Sequence, residues 1–114
     1  VREAARRLGS DAIIGASCYN SVVLGQQAAY AGASYLAFGA FFPSPTKPNA
    51  RVASRRLIAP AKVFGLPVVA IGGITLDTAP ELIEAGIDQL AVISDLFGAE
   101  DIRGRARAYA RLWR

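Results

Sequence analysis

At 114 residues, 53% of them hydrophobic and 19% charged, the chain makes one globular domain at most, and no apolar run reaches the roughly 18 to 20 residues that span a bilayer. Cys18 is the only cysteine and there is no histidine, which excludes an internal disulfide, a Cys/His zinc site and any histidine-based triad. The formal charge of +4 comes from arginines scattered over three segments, so it reads as solvated helix faces rather than a nucleic-acid footprint. The opening VREAARRL lacks the apolar core of a signal peptide, and the cytoplasm is the default compartment.

In chain order, the pattern predicts a helix over 2–8, capped by Gly9. The chain starts with Val1 and contains no Met, so a fragment or processed product is expected. Residues 11–17 read as a short buried strand ending at Ser17. Asn20 or Ser21 then caps a helix that carries Val22, Val23, Gln26, Ala29 and Tyr30 and stops at Gly32. A second strand is expected over 35–42, because its apolar residues show no alternating polar side. Pro43 and Pro45 end it, leaving Ser44, Thr46 and Lys47 at its rim as an anion-binding lip. A helix over 52–64 must kink or split at Pro60. Residues 67–72 form a third strand, and Thr75 or Asp77 caps a helix that runs through Ala85 to Gly86. The fourth strand covers 89–94. Asp101 opens a basic last helix with Ile102, Ala106, Tyr109, Ala110 and Trp113 as its buried stripe.

Four strands alternating with helices imply parallel βα units, either about half of a TIM (β/α)8 barrel or a small open flavodoxin-like sheet. A complete barrel needs roughly 250 residues, so this chain supplies about half. In both architectures the carboxyl ends of the strands gather on one face. Ser17, the Ser44-Pro45-Thr46-Lys47 lip, Gly72-Gly73 and Ile93-Ser94 are therefore expected to converge. Each has a plainer reading: a tight turn for Gly72-Gly73, a loop hydrogen bond for Ser17 or Ser94, and a solvated lysine for Lys47. Cys18 reads as a packing residue, and Asp77, Asp88 and Asp95 as capping or loop residues.

Gly15-Ala16-Ser17, Gly39-Ala40-Phe41-Phe42-Pro43-Ser44-Pro45-Thr46-Lys47, Val69-Ala70-Ile71-Gly72-Gly73-Ile74 and Leu90-Ala91-Val92-Ile93-Ser94 together resemble the carboxyl-terminal half of thiamine-phosphate synthase. The resemblance runs from about Ile13 to Asp101, and the proline, hydroxyl and lysine stretch is its most specific part. It implies a (β/α)8 barrel that joins a hydroxymethylpyrimidine diphosphate to a thiazole phosphate, releasing diphosphate with magnesium. Residues 1–114 would then be a single region, with the amino-terminal half of the barrel absent.

Residue by residue, the resemblance implies that Ser17 and Lys47 contact the pyrimidine diphosphate and are the catalytic pair. Ser44, Pro45 and Thr46 would contact the thiazole phosphate, and Gly73, Ile93 and Ser94 would hold its phosphate. Two positions depart from the family: Tyr19 stands where a histidine is common, and Ser44 where threonine is usual. The magnesium carboxylates belong to the missing half, so Mg2+ is expected without ligands in this chain, and the fragment alone is expected to be inactive. Competing readings are a thiazole tautomerase, which the lack of histidine disfavours, and a non-catalytic phosphate-binding or half-barrel module. Such a module would form a homo-oligomer or pair with the missing half, covering its unpaired strand edges.

Overall fold

The computed structural model describes residues 1–43 and 52–113. Among them, four parallel strands, β1 (Gly15–Tyr19), β2 (Tyr35–Phe38), β3 (Val68–Ile71) and β4 (Gln89–Ala91), lie side by side in chain order. The helices are α1 (Arg2–Leu8), α2 (Val22–Tyr30), α3 (Ile58–Lys62), α4 (Ala79–Glu84), α5 (Ser94–Phe97) and α6 (Ile102–Arg111), with a 3-10 turn at Arg55–Leu57. A flavodoxin-like sheet reverses its strand order at a switch point, whereas a barrel adds each strand beside the last. The order β1-β2-β3-β4 has no reversal and follows the barrel pattern.

Successive residues of a strand point to opposite faces, so the register sorts the side chains into two sets. Leu36 pairs with Val68, and Phe38 with Ala70, which pairs in turn with Leu90. That face is buried beneath the helices with Cys18, Ile58, Ala61, Ala79 and Leu82. On α2, Gly25 is the point of contact: a Cβ there would lie 3.0 Å from the Phe38 ring. The opposite face carries Ser17, Ala37, Val69 and Gln89 in one cross-strand layer, with Ile71 and Ala91 in the next. Ser17 and Gln89 are exposed on it, as is Ile71.

Four expectations shift. The first strand covers Gly15–Tyr19 rather than 11–17, because Ala12 and Ile14 are held by the Ser34 side chain instead of a ladder. The Ile14 amide donates to Ser34 Oγ (3.0 Å), which donates to the Ala12 carbonyl (3.4 Å). Ser17 consequently sits inside the strand, and the rim belongs to Tyr19. The second strand stops at Phe38: beyond it the Phe41 and Phe42 amides donate to the Ile71 and Gly72 carbonyls, and Phe41 is apolar because it is buried. The fourth strand stops at Ala91, and residues 94–97 form a helical turn that periodicity did not suggest. On α6 and the turn after it, Ile102, Ala106, Ala110 and Trp113 are exposed, and only Tyr109 of the expected stripe, with Leu112, packs against the core.

Other local readings hold, except the cap of α4. Ser21 caps α2, its Oγ accepting from the Leu24 amide (3.1 Å), and Asp101 caps α6 through the Gly104 amide (3.0 Å). Pro60 splits its segment, lying in the first turn of α3, where an amide has no intrahelical acceptor anyway. Thr78 stands at the start of α4, tied to Thr75 by its hydroxyl, so neither Thr75 nor Asp77 is the cap.

Asp88 is more than a loop residue. Its Oδ2 accepts from the Val68 amide (2.9 Å) and its Oδ1 from Lys62 Nζ (2.8 Å), joining α3, the start of β3 and the approach to β4. Burial alone would raise its pKa, but the bonds from Lys62 and Val68 and the lysine charge hold it below the ordinary carboxylate range. A depressed native pKa stabilises the fold above the unfolded value, about 3.9, and that contribution is lost as pH falls through the native value. The urea midpoint should therefore drop on acidification below about pH 4, and less steeply in Asp88→Asn. Equal pH slopes for the two proteins would contradict this.

Candidate active site at the carboxyl edge of the sheet

Three strand ends meet at one edge. Ile71 pairs with Ala91, so Gly73 and Ile93, each two residues further on, leave adjacent strands at the same level. The rim of β2 is pressed against this point. A Cβ on Gly73 would stand 2.5 Å from the Phe42 carbonyl oxygen and 2.8 Å from that of Pro43, and Gly73 has φ +65. Gly72, at φ +96, would meet Ala40 at 2.5 Å, and Gly39 would meet the Ile71 carbonyl oxygen at 2.4 Å. The glycines therefore serve first to bring two backbones together. The Ala53 amide donates to the Ala40 carbonyl (2.6 Å), so the chain returns to the β2 rim on the far side of residues 44–51.

Ser44, Pro45, Thr46 and Lys47 lie outside the described residues. Of the remaining expected site residues, Gly73 follows the end of β3 and Ile93 and Ser94 follow the end of the neighbouring β4, and both Ile93 and Ser94 are exposed. Ser17 does not join them. It is level with Val69, four residues before Gly73, which at about 3.3 Å per residue puts it roughly 13 Å deeper along the sheet. Its hydroxyl is on the open face, with Gln89 in the same layer. Tyr19 occupies the rim of β1 with φ 54, a left-handed backbone uncommon outside glycine but enriched in histidine, asparagine and aspartate.

Asp95, first read as a cap or loop residue, is the polar centre beneath this edge. Its Oδ2 accepts from the Leu76 amide (3.1 Å) and the Tyr109 hydroxyl, and its Oδ1 accepts from Arg105 Nη1 (2.7 Å). The same Nη1 donates to the Asp95 carbonyl (2.9 Å). Burial would raise the carboxyl pKa, but the bonds from Tyr109, Arg105 and Leu76 hold it below the ordinary range. The Tyr109 hydroxyl is pushed up by burial and by the carboxylate it faces, and stays protonated as a donor. No local motif marks partners ten and fourteen residues apart across a helix turn. Asp95 following the strand-end serine directly was the one available signal.

The described residues contain no group of three His, Cys, Asp or Glu side chains able to hold a metal ion. No described helix is long and apolar enough to cross a membrane.

Comparison with known proteins gives the family. Among curated proteins, thiamine-phosphate synthase of Methylobacillus flagellatus is 58% identical over 106 residues, covering 93% of this chain and 51% of the relative. That of Azoarcus sp. strain BH72 is 58% identical over 107 residues, covering 93% and 52%. The chain thus spans about half the length of the curated relatives it matches. The solved thiamine phosphate pyrophosphorylase of Pyrococcus furiosus superposes with a TM-score of 0.84 at 37% identity, over 99% of this chain and 54% of that one. The 3-hexulose-6-phosphate synthase of Salmonella typhimurium, 23% identical with a TM-score of 0.65, shares the fold. The family model for thiamine monophosphate synthase matches residues 1–96, and the chain belongs to that family.

Proposed function

We propose that this chain forms the carboxyl-terminal half of a thiamine-phosphate synthase, joining hydroxymethylpyrimidine diphosphate to thiazole phosphate in the cytoplasm. The observation that carries the reading is the glycine-lined edge where Gly73 meets the Ile93-Ser94 turn, in a family member that also carries Ser44, Pro45, Thr46 and Lys47.

Gly73 and Ile93 would offer backbone amides, and Ser94 a hydroxyl, to the thiazole's phosphate. Ser17, deeper on the open face, and Lys47 would take the pyrimidine diphosphate, with Ser44, Pro45 and Thr46 between the two substrates. The roughly 13 Å offset along the sheet between Ser17 and Gly73 suits two ligands rather than one. In the reaction the bond from the pyrimidine methylene to the diphosphate breaks, and the thiazole nitrogen takes the methylene carbon. The diphosphate leaves with the electron pair, so no enzyme nucleophile or histidine base is needed. Lys47 would meet the charge that grows on it. Magnesium would supply further neutralisation of that charge, but the described residues do not make a site for it.

β1 and β4 are the outer strands among those described, and each would pair with the remaining barrel strands or a second copy. The protein containing this chain, given both substrates and magnesium, is expected to release diphosphate in step with formation of the methylene-bridged product. Diphosphate release that does not depend on the thiazole would overturn the reading.

A further inference from the structure

We infer that Arg105 and Asp95 form a positioning pair for the anion-binding edge, with Arg105 cancelling a carboxylate that would otherwise repel the thiazole's phosphate. The inference rests on the function proposed above. It concerns two residues to which the resemblance gives no role.

Asp95 directly follows Ser94, so a carboxylate is carried one residue from a hydroxyl assigned to a phosphate. An uncompensated negative charge at that place opposes an anionic ligand. In the structure both carboxylate oxygens are engaged. Oδ2 takes the Leu76 amide and the Tyr109 hydroxyl, and Oδ1 takes Arg105 Nη1, which also holds the Asp95 carbonyl. Leu76 is three residues past Gly73, so the carboxylate ties the Gly73 loop to the Ser94 turn. Arg105 and Tyr109 tie both to α6, where Tyr109 packs on the core. The side chains of Arg105 and Asp95 are only 32% and 19% exposed, so salt screens the pair less than it would a surface pair. Geometry and charge balance are thus set by one cluster.

The test is steady-state kinetics on the protein that contains this chain. Arg105→Gln leaves Asp95 unopposed, and the KM for thiazole phosphate is expected to rise about tenfold, with the increase shrinking as ionic strength rises. The KM for the pyrimidine diphosphate, assigned to the deeper Ser17, should stay within about twofold. Adding Asp95→Asn removes the charge but keeps an acceptor for the Leu76 amide, and should return the thiazole phosphate KM to within about threefold of wild type. Arg105→Lys keeps the cation and most of the stem, and should stay within about twofold even if Arg105→Gln folds poorly.

A merely structural role predicts the opposite order, with the double variant no better than the single and both KM values moving together. Either result overturns the pairing, as does a tenfold rise in Arg105→Lys or an unchanged KM in Arg105→Gln. A wild-type protein that releases no diphosphate overturns the functional reading itself, and the pairing with it.

Discussion

Gly73→Ala is expected to destabilise the chain by about 2 to 5 kcal/mol, a loss set by backbone geometry rather than by any ligand. At φ +65 an L-residue costs about 1 to 2 kcal/mol. The Cβ would also stand 2.5 Å from the Phe42 carbonyl oxygen and 2.8 Å from that of Pro43. These are backbone atoms and cannot rotate away. They belong to a rim already fixed by the Phe41 and Phe42 amides on the Ile71 and Gly72 carbonyls, so relief requires moving the β2 rim off β3. Crowding of that kind typically adds about 1 to 3 kcal/mol. Urea unfolding of the variant should show a midpoint clearly below wild type with a similar slope, and an unchanged midpoint would refute the close approach. Gly73→Val would do the same or worse, so lost phosphate binding in a Gly73 variant reports the rim before it reports an amide cradle. Removing and rebalancing the charges of Arg105 and Asp95 tests the anion without disturbing that contact.

Much of the fold was legible because its signals are local. Ser21 and Asp101 are caps whose partners lie three residues on, and Gly9, Gly32 and Gly86 punctuate elements as such glycines do. The βα alternation gave parallel units, but only strand adjacency separated a barrel from a doubly wound sheet, and adjacency is a tertiary fact. Strand ends differ from the sequence pattern for one repeated reason: apolar composition marks burial, not a ladder. Phe41 is buried without being in a strand, and Ile13, read as strand core, is 82% exposed while Ser34 holds its neighbours.

The site shows the same division. Gly73 and Ser94 are legible as candidates from glycine and hydroxyl placement at strand ends, and the register sets the ends of β3 and β4 side by side. Ser17 was placed at a rim because the first strand was drawn too early; the pairing of Ser17 with Ala37 moves it inward. Asp95, Arg105 and Tyr109 escaped because an acidic residue after a serine, an arginine on a basic helix and a tyrosine in an apolar stripe each have an ordinary explanation alone. Only chain closure makes them one cluster. Tyr19 gains a meaning from its backbone: it stands at a left-handed position, which the histidine that the resemblance implies there would tolerate better than most residues.

If the proposed function holds, Lys47→Ala should have the largest effect on catalysis. Departure of a diphosphate concentrates negative charge on the leaving oxygen, and a fixed cation there acts mainly in the transition state. Removing one such stabilising group typically lowers kcat by about 10² to 10³, equivalent to roughly 2.7 to 4 kcal/mol. A solvated loop lysine would instead leave kcat within about twofold, because an exposed charge is worth little. Lys47 itself lies outside the described residues, but the described chain before and after residues 44–51 is held at the edge in question. Pro43 abuts Gly73 on one side, and Ala53 is bonded to Ala40 on the other. The expected pattern in the protein containing this chain is a fall in kcat with little change in unfolding midpoint. Lys47→Arg should recover only part of the loss, since a planar guanidinium keeps the charge without the compact ammonium. Full turnover in Lys47→Ala would remove this lysine from the chemistry and leave the glycine-lined edge as a binding surface alone.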